Sequence, residues 1–82
     1  MANNPADNAE KIYVRSFPIT LTQFMKWCGA VLTGSEAKEL VRCGEVLLNG
    51  EECLVPGRQL HPGDIITLLG EEPVSYQAVE QM

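Results

Sequence analysis

The chain has 82 residues, 45% of them hydrophobic, and a net charge of −5; that suits one small folded domain and argues against disorder over most of its length. No run of about 18 apolar residues occurs, which excludes a membrane-spanning helix. The polar, acidic start MANNPADNAE has neither the basic region nor the apolar region of a secretory signal, so a cytoplasmic protein is expected.

Residues 1–10 lack periodicity and are expected to form a flexible tail. In KIYVRS, Ile12 and Val14 alternate with Tyr13 and Arg15, which predicts a short strand before the FPI turn. Thr20 followed three residues later by Gln23 forms a capping box for a first helix over about 21–28. Its Leu21, Phe24, Met25 and Cys28 follow i, i+3, i+4, i+7 and mark one buried face, and Gly29 stops it. Trp27 falls at the edge of that face, as core or core rim.

A second helix follows, with Thr33 or Ser35 as its N-cap, and Thr33 with Glu36 supplies another capping box. Ala37, Leu40 and Val41 face inward, and Gly44 ends the helix. EVLLNGEECLV then predicts a hairpin around Asn49-Gly50, the dipeptide suited to a type I′ turn. A two-residue loop sets Leu48 opposite Glu51, Leu47 opposite Glu52 and Val46 opposite Cys53. Val46, Leu48 and Cys53 share the core face; Leu47 and Leu54 lie on the other, which is apolar enough to need covering by the C-terminal tail or by a partner. PGRQLHPGD carries two Pro-Gly turns, IITLLG is a final strand, and EEPVSYQAVEQM is an acidic tail with no structure assigned.

The charge is unevenly spread. Residues 1–10 carry Asp7 and Glu10, and residues 71–82 carry Glu71, Glu72 and Glu80, with no cation in either segment. All six Lys and Arg fall within 11–70, where as many carboxylates balance them. A locally positive face is compatible with this; a general polyanion-binding surface is not.

Little in the chain suggests catalysis. Cys28, Cys43 and Cys53 are odd in number, widely spaced and without a C-x-x-C pair, so each is expected to be a buried or half-buried apolar residue. His61 reads as a surface loop residue, and Gly63-Asp64 as turn chemistry. There is no phosphate-binding glycine loop, no nucleophile–His–acid set and no metal-ligand spacing. Neither an enzyme nor a cofactor is expected. Lys38 and Arg42, in contrast, lie about 40° apart on the second helix and can both face solvent.

Residues 19–68, about 50 of the 82, resemble the RNA-binding domain of small-subunit ribosomal protein S-four, the alpha-L motif, and most closely its short stand-alone bacterial members. The matching positions are Ile19, Thr20, Leu21, Gln23, Phe24 and Lys26; Gly34, Glu36, Ala37, Lys38, Leu40 and Gly44; Val46, Asn49 and Gly50; and Gly57, Arg58, Leu60, Gly63 and Asp64. The resemblance implies an α+β fold, two helices packed against a bent, mostly antiparallel sheet of about four short strands. The domain would span 11–70, between the flexible 1–10 tail and the acidic 71–82 tail. It also implies a non-catalytic, ribosome-associated RNA-binding protein. Structured RNA would lie across the second helix and the hairpin, touching Lys38, Arg42, Asn49, Gly50, Arg58 and Gln59, with Lys26 and Arg15 as further contacts.

Ser35, Val55-Pro56, Leu47 and Gln59 depart from the family pattern: with Ser35 and Val55-Pro56 the loop offers fewer cations, Gln59 stands where a cation is common, and Leu47 where a polar residue is usual. The expected partner is therefore RNA, ribosomal or otherwise structured, met on a ribosomal particle or beside a protein, by a monomer with no membrane contact. Two alternatives stay open. One is a protein-interaction module that keeps the fold but has lost most of the RNA surface. The other is a β-grasp sulfur carrier, suggested by LLNGEECLV and LHPGDII but lacking that family's terminal Gly-Gly.

Overall fold

A computed structural model describes residues 9–81; most of the expected 1–10 tail lies outside them. Strand β1 (Glu10–Val14) alternates as its sequence requires, with Val14 buried and Tyr13 exposed. Strand β2 (Ile19–Thr20) runs directly into helix α1 (Leu21–Trp27). Thr20 caps α1 reciprocally: Gln23 N–H donates to Thr20 Oγ1 at 3.2 Å, and Thr20 N–H donates to Gln23 Oε1 at 3.0 Å.

Helix α2 (Gly34–Arg42) selects Thr33 as its N-cap. Glu36 N–H donates to Thr33 Oγ1 at 3.1 Å. The Glu36 carboxylate does not close the box; it reaches one residue further back and accepts from Leu32 N–H at 3.0 Å. Both helices end in the same way. Gly29 (φ 80°) and Gly44 (φ 76°) adopt the left-handed conformation. Ala30 N–H then reaches back to Met25 O and Glu45 N–H to Leu40 O, so each helix closes with a Schellman motif.

The hairpin joins β3 (Val46–Leu48) to β4 (Glu51–Glu52) with the expected register, Leu47 opposite Glu52 and Leu48 opposite Glu51. Asn49 (φ 52°) and Gly50 (φ 85°) supply the two positive φ values of the turn. Strands β5 (Gln59–Leu60), β6 (Ile65–Leu68) and β7 (Val74–Glu80) complete the chain. A five-stranded sheet has the order β1-β7-β6-β3-β4; only the β1–β7 pair is parallel. Strands β2 and β5 form a separate antiparallel pair. The fold is α+β and mostly antiparallel, as expected.

Seven strands among the described residues replace the expected four or so: β1, β3, β4 and β6 are the expected ones, and the two-residue β2 and β5 and the longer β7 are additional. Residues 71–82, an acidic tail for which the sequence predicts no element, contain β7, the longest strand among the described residues. Its inward side chains are modest, with only Ala78 fully buried, so its local apolar signal is weak. Its partners are supplied by β6 and by β1 at the other end of the chain. It lies in the plane of the sheet and does not cover the Leu47/Leu54 face.

One core unites the elements. Leu21, Phe24 and Met25 of α1, Ala37 and Val41 of α2, Val46 and Leu48 of β3, Leu60, Ile66, Ala78 and Val14 are all buried. Each large side chain among them contributes about 1.5–3 kcal/mol through burial. Cys53 is buried and Cys28 half-buried, as expected, but Cys43 is exposed. It is the C-cap of α2, one position past the helix's inward-facing row.

Candidate nucleic-acid interface

Lys38 and Arg42 are exposed, while Ala37 and Val41, each one position earlier on α2, are fully buried. Helical geometry therefore turns both cations to solvent on one side. Arg42 lies in the last turn, where the helix dipole favours positive charge. The helix is tied to the sheet immediately beyond it. Glu45 N–H donates to Leu40 O at 3.1 Å, and Glu45 O accepts from Leu69 N–H at 2.8 Å. A Cβ at Gly44 would lie 2.7 Å from Glu52 Oε2, so the Glu52 carboxylate sits against the bend between α2 and β3.

At the hairpin tip, the Asn49 side chain bonds within the protein through both of its polar atoms. Its Nδ2 donates to Asp64 Oδ1 at 3.2 Å, and its Oδ1 accepts from Ile65 N–H at 2.9 Å. Asn49 N–H donates to Ile65 O at 2.7 Å. Asp64 also accepts from His61 N–H at 2.8 Å through Oδ2. Asn49 thus orients the turn, and Gly50, with open space where a Cβ would be, presents it to solvent.

Arg58 is exposed but its backbone is fixed. Its N–H donates to Val55 O at 3.1 Å, and its carbonyl accepts from Leu21 N–H at 2.8 Å. Pro56 O accepts from Thr22 N–H at 3.4 Å, so this loop satisfies two otherwise orphaned donors in the first turn of α1. Gln59 is exposed and pairs with Thr20 in the β2–β5 ladder.

The eight expected contact residues fall into three groups. Lys38 and Arg42 form the first, on α2. Asn49 and Arg58 line one concavity near Gly50 and Gln59, together with Glu51, Glu52, Leu54 and Val55. Lys26 lines a second, with Gln23, Trp27 and the Ser16–Ile19 turn; exposed Arg15 directly precedes that turn. Two features escaped sequence reasoning. The consecutive carboxylates Glu51 and Glu52 share the Arg58 concavity, so the hairpin half of the surface is not simply basic. Trp27, expected in the core or its rim, is 52% exposed, and its Nε1 donates to Tyr13 O at 2.9 Å.

The titrating groups with clear shifts lie elsewhere. Burial pushes the Cys28 thiol up, and burial, together with nearby Cys28 and Glu10, does the same for the Tyr76 hydroxyl. A thiol held neutral in this way is a poor nucleophile. Among the described residues no group of three or more His, Cys, Asp or Glu is placed to hold a metal ion, and no helix is long and apolar enough to cross a membrane. What the surface offers chemically is cations and turn geometry, suited to phosphates and backbone shape.

A family model described as the S4 domain matches residues 12–75. No curated protein matches the chain.

Proposed function

The chain belongs to the S4 domain family, whose members are generally RNA-binding modules, and on that premise we propose that it is a non-catalytic, cytoplasmic protein that binds structured RNA, such as ribosomal RNA, through α2 and the hairpin. The observation that carries this reading is the pairing of exposed Lys38 and Arg42 with buried Ala37 and Val41 on a helix tied to the hairpin. Lys38, Arg42 and Arg58 engage phosphates, Gly50 and Gln59 approach the backbone and 2′-hydroxyls, and Asn49 holds the turn in place. With about three phosphate contacts the affinity is modest, which suits action on a ribonucleoprotein particle.

The test is the Lys38→Glu, Arg42→Glu double variant, assayed for retention on structured RNA with folding checked by circular dichroism. Loss of retention by a folded variant supports the reading, and unchanged retention overturns it. A second reading, a protein-docking module, is favoured by one observation: Leu54 and Val55 are 52% and 57% exposed beside Glu51 and Glu52. Co-purification of a protein partner that survives nuclease and high salt would favour it, because phosphate contacts are salt-sensitive and apolar contacts are not.

A further inference from the structure

The opposite end of the charge inventory, at the start of the domain, carries a feature that the α2–hairpin surface does not use. Tyr13 is 58% exposed and Trp27 52%. The Trp27 indole N–H donates to the backbone carbonyl of Tyr13 at 2.9 Å, tying the end of α1 to the β1 backbone. That hydrogen bond uses the indole's only donor, so the ring is held in place while much of its surface faces solvent. A ring pinned by its edge presents a preorganised face.

Among the described residues, no carboxylate lines the concavity that Trp27 borders. Lys26 lines it, and Arg15 and Lys11 are exposed on the segment carrying Tyr13. Strand alternation sets Lys11 and Tyr13 on one face of β1 and Glu10, with buried Val14, on the other, where Glu10 lies near Cys28. The hairpin concavity, by contrast, holds Glu51 and Glu52 beside Arg58.

An exposed indole pinned by its edge and flanked by cations suits a ligand with flat π-faces and a repeating negative charge. The geometry points to a stacking site for unpaired nucleotides: Trp27 takes a base, and Arg15 and Lys26 take the adjoining phosphates. This rests on the RNA-binding reading and extends it, assigning single-stranded segments that flank a structured element to the α1–β1 edge.

Trp27 is the only tryptophan in the chain, so its fluorescence reports directly on stacking. Titration of the full chain with a short oligouridylate should quench that fluorescence saturably. Arg15→Glu with Lys26→Glu should remove the quenching and lower the salt slope of binding by about 0.7 per lost phosphate contact. With a fluorescein-labelled oligouridylate followed by anisotropy, Trp27→Ala should weaken binding about tenfold or more, and Trp27→Phe, which keeps a ring, should weaken it less.

Unchanged affinity in a folded Trp27→Ala variant overturns the proposal, as does an absence of quenching at protein and oligonucleotide concentrations where structured RNA is retained. Those outcomes leave the α2 reading intact, since it stands or falls on the Lys38, Arg42 double variant and structured RNA.

Discussion

Asn49 Nδ2 donates to Asp64 Oδ1 at 3.2 Å, joining the tip of the hairpin to the turn before β6 across 15 residues of chain. The same amide accepts from Ile65 N–H, so one side chain sets both the turn and its distance from the neighbouring strand. Asn49→Ala removes both bonds and leaves an alanine at φ 52°. Each bond is worth about 0.5–1.5 kcal/mol and the left-handed conformation adds about 1. The expected loss is about 2–4 kcal/mol, read from chemical denaturation. Asn49→Gly should lose less, because it keeps the φ.

The two glycines that bound α2 should respond in opposite ways. Gly44→Ala is strained by φ 76° and displaces the Glu52 carboxylate, so a loss of about 1 kcal/mol is expected. Combining it with Glu52→Ala should not restore stability, because the carboxylate is mobile and the backbone conformation is not. Gly34→Ala, at the first position of α2 with open space around it, should be neutral or stabilising by about 0.5–1 kcal/mol. Denaturation midpoints of the three variants decide the matter.

Glu51 and Glu52 oppose the binding of an anion at the Arg58 concavity. Glu51→Gln or Glu52→Gln should therefore tighten RNA binding by about two- to fivefold each, the scale of a surface charge interaction of roughly 0.5–1 kcal/mol. For the unaltered chain, log affinity against log salt should fall with a slope of about −3. Filter binding across a salt series checks both. Affinity unaffected by the glutamates would mean that RNA stays clear of the hairpin concavity.

Alkaline pH should destabilise the fold. The Cys28 thiol and Tyr76 hydroxyl titrate above their ordinary values chiefly because burial disfavours their charged forms. Their neutral forms contribute stability that is complete below the ordinary thiol pKa and is lost as pH rises through the elevated folded values. Cys28→Ala should flatten the thiol part of that dependence in denaturation curves taken across the alkaline range. In alkylation followed by mass spectrometry, exposed Cys43 should react before Cys28 or Cys53.

The parts of this fold that could be read in the sequence are those settled within a few residues. Thr20 with Gln23, Thr33, Gly29, Gly44 and Asn49-Gly50 each satisfy or redirect neighbouring backbone, so helix ends and hairpin register were visible. Strand β7 was not, because Val74–Glu80 buries only Ala78 completely and one of its two partners, β1, lies at the other end of the chain. The exposure of Lys38 and Arg42 followed from helical spacing alone. The internal use of the Asn49 amide did not, since Asp64 meets it only once the sheet is assembled. Nor did the setting of Trp27, whose partner Tyr13 lies 14 residues away on an edge strand.

The parallel pairing of Glu10–Val14 with Tyr76–Glu80 bears on the order in which the molecule is made. A chain leaving its site of synthesis N-terminus first can form both helices and the hairpin from local contacts, which close quickly. Strand β1 emerges earliest and must wait for the last strand, with more than 60 residues between each residue and its partner. Until then its edge is open, in a nascent chain whose middle is already folded. Completion of the sheet should therefore be the late, slow step of folding. A chain released before residue 74 should keep the α2–hairpin unit while leaving β1 free to pair with something else.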